Sequence, residues 1–357
     1  MGICCTVIGA FSSNAQAWQA SAAPIYPTAA QWADSLQNVP QTIGGLTFPQ
    51  VNSHARLLIN VPAGTTSLGV WLANTLINSV FFFDGSVGVF VDGVFTTSWN
   101  AVGAAQVIQL YTLALDGNPH QVAIWSGYQS TLLGTYVYAV QGTGISIATA
   151  PAASRRTCFY GDSILEGGAS TPNPQFCYFA LLRGILPAGM AISQEAWGAR
   201  SLWDDVAGGN VGTKQGFADV SLLAARLVGL VAGAATREIW LAMGYNDANA
   251  GHWADAPTFG VAYGTLLDAI HTADPGCHVY AGSLITASLD LSAYRSAIAT
   301  QVSTRTAFCS YVDGLTLMLS SGLSADNTHP ANVGHQAIAL GTGASAGTSS
   351  IRTVLGI

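Results

Sequence analysis

Residues 148–154 read Ala-Thr-Ala-Pro-Ala-Ala-Ser, and the hydrophobic rhythm of the chain changes across this small-residue stretch. Before it, short alternating apolar runs at 56–61, 86–95, 107–115, 121–125 and 135–140 are separated by turn residues, with no helical period between them. Strands at that spacing predict an all-β sandwich. Asp92-Gly93 and Asp116-Gly117 mark its tight turns, because both residue types tolerate positive φ. After the stretch, apolar strand candidates at 157–160, 190–194, 238–243, 278–283 and 308–312 alternate with helical segments at 175–185, 220–231, 258–272 and 288–303, and a last helix is expected near Asn332. That alternation predicts a parallel sheet with helices on both faces. The expected division is an N-terminal segment 1–44, a β-sandwich over 45–148 and an α/β domain over 149–357, in keeping with a length of 357 residues.

Charge excludes one class of partner. The net charge is -7 and Lys214 is the only lysine, so a basic surface able to neutralise a phosphate backbone cannot be assembled and nucleic acid is not expected. No run approaches the ~18 apolar residues needed to cross a bilayer, so no stable membrane insertion is expected. Only 8% of residues are charged, and the surface must be covered by neutral polar groups, a composition that favours an exported protein. Residues 1–10 are apolar and precede Asn14-Ala15-Gln16-Ala17, a small-x-small pattern. It reads as a signal-peptide remnant, hence a secreted or periplasmic protein, or else as a buried N-terminal strand. Met1-Gly2 with Thr6 also fits a myristoylation pattern, which is short enough to be coincidence. Cys4, Cys5, Cys158, Cys177, Cys277 and Cys309 lack metal-ligand spacing. Buried thiols are the expectation for Cys158, Cys277 and Cys309, with a disulfide between two of them left open.

In open parallel sheets reactive groups collect beyond the carboxyl ends of the strands. Ser163 stands there, in Gly161-Asp162-Ser163 directly after the first strand of the α/β part. A serine hydroxyl needs a base to take its proton. Asp326-Asn-Thr-His329-Pro330 supplies a histidine with a carboxylate three residues earlier, near enough to fix the Nδ1–H tautomer and leave Nε2 facing the serine. Acyl transfer also needs donors for the developing oxyanion. Gly198, after the second strand, allows close approach of a backbone N–H, and Asn246 in Gly244-Tyr-Asn-Asp247 offers a side-chain amide.

Gly-Asp-Ser, a later glycine, Gly-x-Asn-Asp and Asp-x-x-His-Pro, in this order over 157 to about 345, resemble the four signature blocks of the SGNH (GDSL-like) hydrolases. The resemblance implies a flavodoxin-like three-layer sheet. It also implies Ser163 as nucleophile, His329 as base, Asp326 as its partner, and Ser163, Gly198 and Asn246 as the oxyanion hole. An N-terminal β-sandwich on such a domain is similar to carbohydrate acetyl esterases. The expected activity is therefore a serine esterase removing short O-acyl groups, O-acetyl above all, from a small ester or an acylated glycan. A lipase or thioesterase, or a transacylase, would use the same site, and a carbohydrate-binding module on a decayed hydrolase is the alternative outside catalysis. No cofactor and no metal are expected, since His329 and His335 lack a zinc-type partner set and His335 fits a surface helix position.

Blander readings accompany each motif. A Gly-Asp-Ser turn is commonly only a turn, and Asp326 could cap a helix. Asp162 and Asp247 read as braces for their loops. Ser345, in Gly343-Ala-Ser-Ala-Gly347, fits a nucleophile elbow but lacks a preceding strand and a later histidine. Trp197, Trp203, Tyr245 and Trp253 flank the motif loops and either line a substrate groove or close the domain edge.

Overall fold

A computed structural model describes residues 23–27, 32–33, 41–43, 46–48, 55–74, 87–99, 108–125, 135–149, 152–170, 173–196, 198–206, 219–282, 284–285 and 287–357. The signal-like and acylation-like patterns of residues 1–17, with Cys4 and Cys5, lie outside these.

Two antiparallel sheets precede the small-residue stretch. One orders Trp32–Ala33, Arg56–Val61, His120–Trp125, Val87–Val91 and Val94–Trp99, with Ser146–Ile147 also on Arg56–Val61; the other orders Thr135–Gln141, Ser67–Asn74 and Ile108–Ala114. A further hairpin pairs Gln41–Ile43 with Leu46–Phe48. Every second residue of the facing strands enters one core: Leu57, Ile59 and Val61 meet Leu68, Val70 and Leu72 there. Asp92 (φ 51°) and Gly93 (φ 81°) form the expected tight turn between Val87–Val91 and Val94–Trp99. Ser67–Asn74, central in its sheet, was not among the expected strands. Its apolar residues do not alternate with polar ones, because Trp71 is buried on the face opposite Leu68, Val70 and Leu72.

The parallel sheet follows. Its strands are β1 (Arg155–Gly161), β2 (Met190–Ala196), β3 (Thr236–Ala242), β4 (Cys277–Gly282) and β5 (Cys309–Val312), in the order 2-1-3-4-5. This is the flavodoxin-like order, with its switch point between β1 and β3. The helices are α1 (Ser163–Glu166), α2 (Asn173–Phe176), α3 (Tyr178–Arg183), α4 (Leu202–Val206), α5 (Val220–Val231), α6 (Tyr245–Ala250), α7 (Ala256–Ala273), α8 (Ser292–Ser303), α9 (Asn332–Leu340) and α10 (Ile351–Leu355).

Alternation along the strands divides two cores. Cys158, Tyr160, Ile239, Leu241 and Val279 pack beneath α5, α7 and α8. Phe159 and Trp240 point the other way, toward α3, α9 and α10. Phe90 and Trp125 of the first antiparallel sheet join this second core. Trp125 stacks on Phe90 at 4.1 Å, and the Arg183 guanidinium lies over the rings of Trp125 (4.6 Å) and Phe179 (4.9 Å).

Sequence and structure differ at helix ends and in some side chains. The single helix expected over 175–185 is two, because Cys177 adopts extended backbone and its Sγ accepts from the Ala180 N–H. The helix expected from 288 begins at Ser292, after Asp290 accepts from the Ser292 N–H in a local turn. Cys158, Cys177, Cys277 and Cys309 are buried free thiols, so no disulfide links them. Among the described residues no helix is long and apolar enough to cross a membrane.

Candidate active site

Gly161 closes β1 in register with Ala196 of β2 and Ala242 of β3, so the loops after three adjacent strands leave the sheet at one height. A Cβ at position 161 would lie 2.8 Å from the Ala242 carbonyl and 2.7 Å from the Leu165 side chain, so only glycine permits the turn that follows. Asp162 caps α1 by accepting from the Ile164 N–H at 3.0 Å. Burial pushes its carboxyl up to about 7, against the opposing pull of that N–H. Asp162 is thus the loop brace anticipated above, and its cap leaves Ser163 at the first position of α1, 7% exposed.

The Ser163 Oγ lies 2.8 Å from Nε2 of His329, and Nδ1 of that ring lies 2.6 Å from Oδ2 of Asp326. Residues 166 apart in the chain meet because the loop 324–331 returns to the carboxyl end of the sheet after β5. Asp326 does not cap a helix. Its Oδ1 accepts from the N–H groups of Thr328 and His329 and from the Ser324 hydroxyl, folding the loop around its own carboxylate. Burial alone would raise this carboxyl. The hydrogen bonds from the His329 ring and backbone, Ser324 and Thr328 outweigh it and hold the group well below the usual carboxylate range. An ionised Asp326 fixes the Nδ1–H tautomer and leaves Nε2 as proton acceptor toward Ser163.

The loop is also tied from outside. Ser288 N–H donates to the Asn327 carbonyl at 2.8 Å, and the Tyr245 hydroxyl lies 3.0 Å from the Thr328 hydroxyl. Asn327 itself holds a φ of 55°, a left-handed backbone that asparagine tolerates better than most residues.

Gly198 lies two residues beyond the end of β2, in a turn where Ala199 has φ 59°. Asn246 is the second residue of α6, which follows β3 through Gly244 (φ 137°). Its Nδ2 donates to the Arg200 carbonyl at 2.9 Å, joining the loop after β3 to the loop after β2. Asp247 is fully buried and accepts from Leu202 N–H, Trp203 N–H and Trp253 Nε1, so it braces α4 and α6 as expected.

The aromatics divide. Trp197 lies outside the described residues. Tyr245 is 8% exposed and serves as the tie to Thr328, whereas Trp203 and Trp253 make a T-shaped pair at 4.9 Å and stay half-buried beside the loops after β2 and β3.

Three features escaped the sequence reading. His335 is not on the surface: it is fully buried, with Nε2 donating to the Gly168 carbonyl and Nδ1 accepting from the Tyr178 N–H. The Tyr245–Thr328 tie is the second. The third is a charged cluster behind the site, in which the buried Glu195, Arg200 and Asp205 are joined by the half-buried Arg226. In a chain with only 11 Lys and Arg, an arginine inside the Gly198 block, Arg200, was a legible signal. Ser345 is buried, with its Oγ 3.2 Å from Ser321 Oγ, and does not lie on a strand-to-helix elbow.

No family model and no curated protein matches this sequence. Solved structures do. A salicylyl-acyltransferase from a tetracycline biosynthetic pathway is 17% identical, with a TM-score of 0.64 over 88% of this chain and 94% of its own. A family two carbohydrate esterase from Cellvibrio japonicus is 18% identical, with a TM-score of 0.60 over 89% and 95%. A putative GDSL-like lipase from Bacteroides ovatus is 11% identical, with a TM-score of 0.56 over 80% and 81%. At these identities the likeness concerns the fold, and it extends across both the antiparallel and the parallel parts. The chain therefore has the fold of the SGNH (GDSL-like) hydrolases.

Proposed function

We propose that the protein is a serine esterase that removes short O-acyl groups, O-acetyl above all, from carbohydrate. One observation carries the reading: the unbroken line of hydrogen bonds from Ser163 Oγ through the His329 ring to Asp326, at 2.8 and 2.6 Å. Ser163 attacks the ester carbonyl while His329 Nε2 takes its proton, and Asp326 stabilises the resulting imidazolium. The N–H groups of Ser163 and Gly198 and the Asn246 amide receive the oxyanion. His329 then protonates the leaving alkoxide, and water repeats the sequence on the acyl-enzyme.

Carbohydrate as substrate draws support from the fold shared with a family two carbohydrate esterase and from the half-buried Trp203 and Trp253 beside the oxyanion loops. The fold shared with an acyltransferase favours a second reading, in which an alcohol replaces water in the second half-reaction. We read residues 45–148 as a jelly-roll-like β-sandwich that walls one side of the catalytic domain 149–357, and the low charge content as that of a secreted or periplasmic protein.

A series of nitrophenyl esters of increasing acyl length tests the reading. Activity should peak at acetyl, and Ser163→Ala should lower kcat by about 10³-fold or more while the protein stays folded. A long-chain optimum would instead indicate a lipase. Undiminished activity in the alanine variant would remove Ser163 from the chemistry, and a folded wild type inert toward all such esters would favour the binding-module alternative.

A further inference from the structure

Asn246 carries an amide with two N–H donors, and one of them is spent on the Arg200 carbonyl at 2.9 Å. That bond sets the rotation of the whole amide. Turned over, Asn246 would set its Oδ1 against the Arg200 carbonyl, two acceptors in contact, so the remaining N–H has a single direction. Everything then depends on how firmly the Arg200 carbonyl is held.

The Arg200 side chain answers that. It is 3% exposed, and its guanidinium takes both oxygens of Asp205, Nε to Oδ2 at 2.8 Å and Nη2 to Oδ1 at 3.1 Å. Such a two-point fork fixes orientation as well as distance. Nη1 lies 3.5 Å from Glu195 of β2, whose other oxygen is held by Arg226 of α5 at 2.9 Å. Tyr160 of β1 presents its ring to the guanidinium at 4.9 Å and its hydroxyl to Asp205. Asp205 belongs to α4, which begins with a reciprocal Ser201–Asp204 cap. One buried cation thus ties together the strand before Ser163, the strand before Gly198 and the first helix after it, and hands that rigidity through its own carbonyl to Asn246.

We propose that Arg200 is a positioning residue that preorganises the oxyanion hole by fixing the amide of Asn246. The inference rests on the esterase reading above, in which Asn246 is an oxyanion donor. Removing one such donor outright typically costs about 10² to 10³ in kcat, so loosening it should cost a part of that.

The test is a double-mutant cycle on the full-length protein with nitrophenyl acetate. Arg200→Lys keeps the charge and loses the fork, and Asp205→Asn keeps the shape of the fork's partner and weakens its hold. Each should lower kcat about tenfold while KM stays within about threefold and the acid limb of the pH–rate profile stays in place, because His329 and Asp326 are untouched. Built on Asn246→Ala, the same substitutions should add no further loss. If Arg200→Lys does not fold, Asp205→Asn alone decides.

Wild-type kcat in a folded variant overturns the proposal, and so does an equal loss in both backgrounds, which would mark an effect independent of Asn246. Failure of the esterase reading shows separately, as a wild type that is inert or a Ser163→Ala variant that is active.

Discussion

Acid should loosen this protein at His335. The ring is fully buried in α9, stacked on Tyr178 at 5.9 Å. Nε2–H donates to the Gly168 carbonyl at 3.2 Å, and Nδ1 faces the Tyr178 N–H at 3.4 Å. A second proton on Nδ1 would point at that N–H. Burial, aided by the nearby His329 and opposed by the Gly168 carbonyl, lowers the His335 pKa from 6.5 to about 4. An unfolded chain takes up this proton near 6.5, and the folded one only near 4. Between those values the unfolded state holds more protons, so stability is complete above about 6.5 and drains away as pH falls toward 4. The whole effect is about 3 kcal/mol, of which about 2 kcal/mol is gone by pH 5.

Asp162 works in the opposite direction over an overlapping range. Its raised carboxyl stays protonated in the fold while the unfolded chain ionises, so stability is lost as pH rises from 3.8 toward about 7. The wild-type curve alone therefore does not isolate the histidine. The difference from His335→Gln does, since glutamine keeps a donor and an acceptor and does not titrate. Urea unfolding of both proteins from pH 7.5 to 4.5 should give curves that converge on acidification, their separation changing by up to about 1.4 kcal/mol per pH unit. Parallel curves would refute the argument.

Two further substitutions probe the loop that carries His329. Asp326→Asn preserves an oxygen for the Thr328 and His329 N–H groups but turns a donor toward Nδ1, so the proton moves to Nε2 and the base is lost; kcat should fall about 10²- to 10⁴-fold with little change in melting temperature. Tyr245→Phe removes only the tie to Thr328, a bond of about 1 kcal/mol, and should lower kcat/KM about fivefold in steady-state assays with the acid limb unmoved.

The parallel half was legible because its strands are continuous apolar runs bounded by helices with their own period. Val220–Val231 began and ended where its apolar spacing said it would. Ser163, Asp326 and His329 were legible for another reason: each sits in a short segment at a strand end, where side-chain role and chain position are coupled, and the structure brings the three within hydrogen-bond reach. Contacts between distant segments were not legible. Nothing local to Arg200 announces that its carbonyl meets Asn246, and the i+6 spacing of His335 from His329 fits a surface position as well as a buried one until the packing of α3 against α9 is known.

The seam between the two halves limits how this protein can be taken apart. Phe90 and Trp125 come from strands laid down before residue 149, yet they share one apolar cluster with Phe159, Phe179 and Trp240 beneath the sheet that leads to Ser163. A fragment starting after the small-residue stretch would keep Ser163, His329 and Asp326 and lose the buried rings of Phe90 and Trp125 from its own interior. Arg183 would lose the indole above it and meet water on that face. The antiparallel half is, in mechanical terms, a keel: none of its described residues takes part in the hydrogen bonds between Ser163 and Asp326, and the hull that holds them is not closed without it.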